Sequence, residues 1–226
     1  MFHKITQAEQ LEKMRQDWDE RARENARYYV ATGSKEWTDE AFFASGEQAV
    51  KEDILTDMEN ICQGREPGKM KVLEIGCGAG RITRALSKIF GEIHAVDVSG
   101  EMVARAQQAL ADRPNVHLYQ NNGCDLTVIP DGEYDFAYSN IVFQHIPSRE
   151  VIETYVTEVN RLLRQGSLFK FQVQGDVTVK GKADDTWLGV SYSESDARAM
   201  AERTNFEFRY NYGAGEQYFW LWFFKK

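Results

Sequence analysis

Hydrophobic spacing divides this chain into two regimes. Before residue 70 the apolar positions recur at helical intervals; beyond it, short apolar runs alternate with helical stripes. Thr6 and Glu9 are spaced as a capping box, and Leu11, Met14, Trp18, Ala22, Ala26 and Tyr29 then share one helix face. A polar break at 32–35 follows. A second capping-box spacing, Ser45 to Gln48, predicts the start of another helix, with Val50, Ile54, Met58 and Ile61 on its face. Pro67 and Gly68 mark the loop at 64–69 that closes this region.

The second regime reads as alternating strands and helices. Strands are predicted at 71–75, 92–97, 116–120, 134–139 and 167–173. Between them lie helical stripes: Ile82, Ala85, Leu86 and Ile89; then Met102, Ala106 and Leu110; then Ile152, Tyr155, Val156, Val159 and Leu163. Gly166 stands where the last of these needs a C-cap. Ser193 and Asp196 cap a helix holding Ala197, Met200 and Ala201, and two more strands follow at 206–211 and 217–224. Only a short turn with Gly213 and Gly215 separates that final pair, so the two strands must be antiparallel neighbours. The pattern predicts an α/β fold: a doubly wound, Rossmann-like sheet of seven strands, mostly parallel, ending in an antiparallel hairpin. Residues 1–69 form an N-terminal helical lid and 70–226 the core, one structural domain overall.

The chemistry concentrates in V-L-E-I-G-C-G-A-G-R-I-T, residues 72–83. Gly76, Gly78 and Gly80 sit in a strand-to-helix loop at the carboxyl edge of the sheet, where such folds bind ligands. Glycine there frees the backbone for close approach and brings helix N-terminal N–H groups near. Asp97 lies 21 positions beyond Gly76, at the end of the second strand, where a carboxylate accepts ribose hydroxyls. A nucleoside is implied, from either a nicotinamide dinucleotide or an adenosyl sulfonium. Position 81 separates the two: a dinucleotide fingerprint wants a small residue there, and this chain has Arg81, its third glycine coming early.

With those residues in place, the sequence resembles the class I S-adenosylmethionine-dependent methyltransferases of small-molecule type. The resemblance rests on V-L-E-I-G-C-G-A-G (72–80), A-V-D-V-S-G-E-M (95–102) and Y-D-F-A-Y-S-N-I-V-F-Q-H-I-P (134–147), and spans about residues 70–226. W-D-E-R-A-R-E-N-A-R-Y-Y (18–29) is similar to the family's lid helix. The resemblance implies that Glu74, with Gly76, Cys77, Gly78 and Gly80, holds the methionine portion of S-adenosylmethionine. It implies that Asp97 binds ribose and that Val98 and Met102 pack on adenine. Where the family has an acidic turn after the third strand, this chain has N-N-G-C-D (121–125). Asn122 or Asp125 is then expected at the adenine amino group, with Gly123 and Cys124 beside the ring. Ser139 and Asn140 would border the methionine amino group and the transferring methyl, and Trp18 with Tyr28 or Tyr29 would cover the cofactor.

Methyl transfer from a sulfonium is an in-line displacement, so the protein mainly positions the acceptor and excludes water. A base is needed only where the acceptor must lose a proton, and His145, five positions after Asn140, is the candidate. The other reading of His145 is a residue bracing its loop through a backbone hydrogen bond. No metal is expected: His94 and His117 sit in strand patterns and His3 near the start of the chain. The acceptor is expected to enter between the lid and the loop at 175–192, which carries Trp187 and Tyr192. The aromatic run at 218–224 reads as a buried central strand.

Composition narrows the partners. At 226 residues with 42% hydrophobic and 12% aromatic residues, the chain sustains a core. A net charge of −8 argues against a nucleic-acid or anionic-membrane surface. Three cysteines without a CxxC pair, no apolar run of spanning length and no signal-peptide core in the first ten residues fit the cytoplasm. The expected function is methyl transfer from S-adenosylmethionine to a small-molecule acceptor. The alternatives are a non-catalytic S-adenosylmethionine-binding module and, further off, a nicotinamide-dependent oxidoreductase.

Overall fold

The computed structural model describes residues 5–182 and 184–226; His3 lies outside them. Seven strands form one sheet: β1 (Lys71–Ile75), β2 (Glu92–Asp97), β3 (Val116–Gln120), β4 (Tyr134–Ser139), β5 (Leu163–Gln174), β6 (Phe206–Tyr212) and β7 (Tyr218–Lys225). Their order is β3-β2-β1-β4-β5-β7-β6. All neighbours pair in parallel except β7, which is antiparallel to β5 and to β6. The order reverses between β1 and β4, and ligands of open α/β sheets bind outside the strand ends at such a point. β4, flanked on both sides, is buried at all its positions, whereas the edge strand β3 has none buried.

Among the described residues, seven α-helices surround the sheet: α1 (Gln7–Val30), α2 (Asp39–Asp53), α3 (Met58–Cys62), α4 (Arg81–Leu86), α5 (Gly100–Ala109), α6 (Arg149–Leu162) and α7 (Glu194–Arg203). The Thr6–Glu9 capping box starts α1. Asn25 has extended backbone and breaks that helix; its Oδ1 accepts from the Tyr28 N–H at 3.1 Å and so caps the last turn. The next helix begins earlier than its sequence spacing predicts. Thr38 is the N-cap of α2, its side chain accepting from Ala41, with Asp39 and Glu40 favourably placed in the first turn. Ser45 lies inside this helix, and its Oγ donates to the Phe42 carbonyl. Gly46 lies inside α2 where that helix crosses the start of α4: a Cβ on it would stand 2.2 Å from the Arg81 carbonyl oxygen.

The predicted fifth strand is also longer. α6 ends at Leu162, and Leu163 turns extended to pair with Tyr134. The ladder resumes at Phe136–Leu168, so residues 164–167 bulge, and Gly166 at φ +79° serves that bulge rather than a helix cap. The aromatic run does form a central strand: Phe219, Leu221 and Phe223 of β7 are buried between β5 and β6. The helical N-terminal segment shares the core, since Val50, Ile54, Ile61 and Cys62 pack in one cluster with Val72, Ile93 and Phe136. Burying an aliphatic or aromatic side chain of this kind contributes roughly 1.5–3 kcal/mol. Among the described residues, no helix is long and apolar enough to cross a membrane.

Candidate active site

A cleft opens at the carboxyl ends of β1, β2 and β4, beneath α1, and encloses about 900 Å³ of empty space including its mouth. Its floor is the glycine loop. Gly76, Gly78 and Gly80 all have positive φ, at +76°, +52° and +82°. The close approach that two of them permit is to the protein itself: a Cβ on Gly76 would stand 2.1 Å from the Val142 side chain, and one on Gly78 2.6 Å from that of Val30. The lid therefore rests directly on the loop. β2 delivers Asp97 beside it, where Oδ2 accepts from the Gly78 N–H and Oδ1 from the Ser99 N–H, each at 2.9 Å.

Two carboxyl groups face this cleft in a nearly dry setting. Burial pushes the Glu74 carboxyl up to about 7, and Oε2 has no hydrogen-bond partner. Burial likewise pushes Asp97 up to about 6, against the pull of the Ser99 and Gly78 N–H groups. On the far wall, the Asn140 amide nitrogen donates to Asp53 Oδ2 at 3.1 Å and lies 3.0 Å from the Tyr138 hydroxyl, leaving its buried Oδ1 without a partner. The Asn121 Oδ1 is likewise buried without a partner on a residue lining the cleft. Unpaired buried acceptors are costly, so a site holding three of them suits a ligand that donates.

The lid is anchored at its middle. Asp19 of α1 is buried, and its Oδ1 accepts from the Ser99 hydroxyl at 2.7 Å and the Glu101 N–H at 3.2 Å, a carboxylate at the N-terminus of α5. The loop after β5 packs against the same helix. Thr186 Oγ1 donates to Asp17 at 2.6 Å, Arg21 donates to the Thr186 carbonyl, and the Trp187 ring lies 6.3 Å from Trp18 and 6.0 Å from Tyr29. The predicted gap between lid and loop is thus filled by these contacts. Tyr192 is a core residue, 1% exposed with Arg149 over its ring, and takes no part in a binding loop.

His145 lies in the cleft wall but is 6% exposed. Its Nδ1 is 2.7 Å from the Trp187 carbonyl, which fixes the proton on Nδ1 and leaves Nε2 as the acceptor, 3.4 Å from the Gln144 amide nitrogen. Burial drives its pKa down to about 4, with Arg21 adding to the effect against the Trp187 hydrogen bond. An imidazole so weakly basic is poorly matched to proton abstraction near pH 7. The bracing role is the one this geometry favours.

Of the residues singled out from sequence, Trp18, Glu74, Gly76, Cys77, Gly78, Asp97, Val98, Met102, Asn140 and His145 line one cleft. Six others do not. Tyr28 packs edge-on against Tyr29, which takes the lining position, because the break at Asn25 changes the helix phase. Gly80 caps α4 where Ala106 of α5 and Leu110, the residue that ends it, approach. Asn122 closes a local turn, its Oδ1 accepting from the N–H groups of Cys124 and Asp125, and Asp125 likewise bonds Asn122 and Thr127. Gly123 is pressed against Met14 and Val98, and Cys124 packs on the core. Ser139 donates to the Ile75 carbonyl at 3.0 Å and braces β1 against β4.

Sequence reasoning missed Asn121 and Tyr155. The ladder runs one residue past β3, Asn121 N–H donating to the Asp97 carbonyl, so alternation turns Asn121 inward and Asn122 out. Tyr155 reads as core on the α6 stripe, yet its hydroxyl accepts from the Asn121 amide at 2.6 Å at the cleft.

Comparison with known proteins agrees with this fold. Residues 72–166 match the family described as "Methyltransferase domain". A malonyl-[acyl-carrier protein] O-methyltransferase of Ilyobacter polytropus is 28% identical over 131 residues, 57% of this chain and 47% of that protein. The chain thus spans about half the length of such curated relatives. Among solved structures, the magnesium protoporphyrin IX methyltransferase of Synechocystis with bound SAM matches with a TM-score of 0.68 at 16% identity, over 100% of both chains. A phosphoethanolamine N-methyltransferase of Haemonchus contortus, in complex with phosphoethanolamine and S-adenosylhomocysteine, matches with a TM-score of 0.71 at 15% identity, over 98% of this chain and 50% of that one. Over residues 72–166 the chain is similar to methyltransferase domains, and its fold is that of the class I S-adenosylmethionine-dependent methyltransferases.

Proposed function

We propose that this protein transfers the methyl group of S-adenosylmethionine to a small-molecule acceptor. The observation that carries the reading is the placement of Asp97 at the end of β2, beside the glycine loop and facing the same cleft as Glu74, whose Oε2 has no partner. Asp97 takes the ribose hydroxyls as acceptor. Val98 and Met102, at the start of α5, supply an apolar shelf for the adenine, and Asn121 replaces Asn122 as the polar group at its edge. Glu74 and the Asn140 Oδ1 receive the methionine ammonium, which supplies the donors that both atoms lack. Trp18 and Tyr29 of the lid exclude water from the sulfonium. Displacement then needs only an acceptor held in line behind the methyl, with the electron pair of the breaking C–S bond returning to sulfur as its charge is lost.

The relatives named above act on small molecules or carrier-bound groups, which supports an acceptor of that kind, and the charge of −8 supports the absence of a nucleic-acid partner. Cytoplasmic location belongs to this same proposal. Calorimetry tests the cofactor: S-adenosylmethionine and S-adenosylhomocysteine are expected to bind and NAD to leave no heat, the reverse result rejecting the assignment. Asp97→Ala is expected to cost roughly 2–4 kcal/mol of cofactor affinity, the value of charge-assisted bonds to two hydroxyls. Release of S-adenosylhomocysteine in the presence of candidate acceptors separates an enzyme from a binding module.

A further inference from the structure

At the opposite side of the sheet, three side chains with metal-ligating atoms converge. His117 lies on the edge strand β3, directly opposite His94 in the parallel ladder, so the two imidazoles leave the same face. Glu92, two residues before His94, shares that face. Oε1 of Glu92 lies 2.7 Å from His94 Nε2 and 3.5 Å from His117 Nε2, and one ligand atom from each of the three lies within 4.8 Å of the others. Ligands on a tetrahedral cation at bonds of about 2.0–2.2 Å stand roughly 3.4 Å apart. Closing the cluster on a metal therefore asks for side-chain shifts of about one ångström, and His117 and Glu92 are both solvent-accessible enough to make them.

The surroundings of His94 fit a ligand as well. Its Nδ1 is 3.1 Å from the Tyr119 hydroxyl, and the two rings stack at an interplanar angle of 9°. In the free cluster Nε2–H donates to Glu92 while Nδ1 accepts from the Tyr119 O–H. When a cation takes the Nε2 lone pair, the imidazole proton resides on Nδ1 and the Tyr119 oxygen accepts it. The ring stays neutral with one proton throughout, and the hydroxyl supplies the outer hydrogen bond that metal-bound histidines use. One charge opposes a cation here: the Lys71 ammonium, 3.8 Å from Glu92 and over the Tyr134 ring at 4.8 Å. Methyl transfer uses none of these groups, since His94 is three residues, roughly 10 Å, short of Asp97 along β2.

We propose that Glu92, His94 and His117 form a binding site for a zinc-class divalent transition metal, with water in the fourth position, tying the edge strand β3 to β2. Two imidazoles and a carboxylate suit Zn²⁺, Co²⁺ or Ni²⁺ over Mg²⁺ or Ca²⁺. The test is titration of the whole protein with Co²⁺, followed by its visible absorption, and with Zn²⁺, followed by calorimetry. One equivalent of Co²⁺ is expected to bind with a tetrahedral spectrum, to be displaced by Zn²⁺, and to raise the melting temperature. His117→Ala, at a half-exposed position, is expected to weaken affinity at least about tenfold with an unchanged metal-free melting temperature, and Glu92→Gln to do the same. Lys71→Met is expected to tighten binding. S-adenosylmethionine affinity should be equal with and without metal, so this site and the cleft succeed or fail separately. Uptake by His117→Ala equal to that of the wild-type protein would overturn the proposal, as would a thiolate charge-transfer band placing the metal on cysteine, or no uptake at tens of micromolar metal.

Discussion

The Asp53 carboxylate, at the end of α2, accepts a hydrogen bond from the Asn140 side-chain amide at 3.1 Å while also accepting one from the Tyr138 hydroxyl at 2.9 Å. This pair joins a helix of the N-terminal segment to the wall of the cleft. With its nitrogen committed to Asp53 and Tyr138, Asn140 has a fixed amide orientation, and its Oδ1 remains the acceptor for a bound ligand. Asp53 touches no proposed cofactor atom; it positions a residue that does.

Asp53→Ala is therefore expected to weaken S-adenosylmethionine binding about tenfold, the worth of one freed, reorienting hydrogen-bonding group. S-adenosylhomocysteine shares the ammonium, so it should lose affinity in parallel. Calorimetry on both ligands checks this. Unchanged affinity in a folded variant would show that Asn140 holds its orientation without Asp53.

The cleft carboxyls make a prediction about pH. Glu74 is raised to about 7 and Asp97 to about 6, both above the ordinary carboxylate range of roughly 4. The folded protein thus binds protons that the unfolded chain has released between about pH 4 and 7. Their contribution to stability is full below about pH 4 and is lost as pH rises through 6 and 7. Glu74→Gln is expected to be relatively more stable than the native chain at pH 8 than at pH 5, as read from melting temperatures. A cationic ligand favours the ionised carboxylates, so S-adenosylmethionine affinity should fall as pH drops from 8 to 5, and binding should release protons to the buffer at pH 5 to 7 but almost none at pH 8. A flat affinity profile would remove the ammonium from Glu74.

The strands were legible because each is a short apolar run bounded by turn chemistry, and β1, β2, β3 and β4 begin and end where the pattern places them. The glycine loop and Asp97 were legible for a related reason: their spacing is fixed by one strand, one helix and the return strand. The start of α2 was not, because the capping-box spacing of Ser45 and Gln48 falls inside the helix, where Gly46 meets a crossing with α4 that only the folded chain reveals. Tyr28, Asn122 and Ser139 were misplaced by single positions or by local partners: a helix break at Asn25, one extra ladder bond at Asn121, and a strand-bracing hydroxyl. Register errors of one residue reverse a side chain's face, so site residues suffer where elements do not.

Gly76 offers a test of the close approach at the loop. Gly76→Ala adds a Cβ 2.1 Å from Val142 and imposes a side chain at φ +76°. Overpacking costs about 1–3 kcal/mol and the left-handed backbone about 1–2 more. Val142→Ala in the same chain removes the clash but not the backbone cost, so it is expected to restore only part of the loss in denaturant midpoint. Full restoration would mean the backbone tolerates alanine, and no restoration would mean Val142 is not the obstacle.

His145 joins the loop after β5 to the cleft wall through the Trp187 carbonyl, and its ring lies between Trp18 and Trp187 at 5.4 and 5.0 Å. Loss of that ring frees Trp187 and opens the contact between loop and lid. His145→Ala is therefore expected to lower the melting temperature and to weaken S-adenosylmethionine binding, with turnover recovering at saturating cofactor. The native imidazole, held down to about 4, stays neutral where the unfolded chain's would protonate near 6.5. Its stabilisation is present above about pH 6.5 and is lost as pH falls toward 4, a dependence that His145→Ala should remove. A general base predicts a different pattern: turnover reduced about a hundredfold or more at saturating cofactor, cofactor affinity intact, and partial recovery at high pH as the acceptor ionises unaided. Kinetics of the variant across pH 6 to 9, with cofactor affinity measured at each point, decide between them.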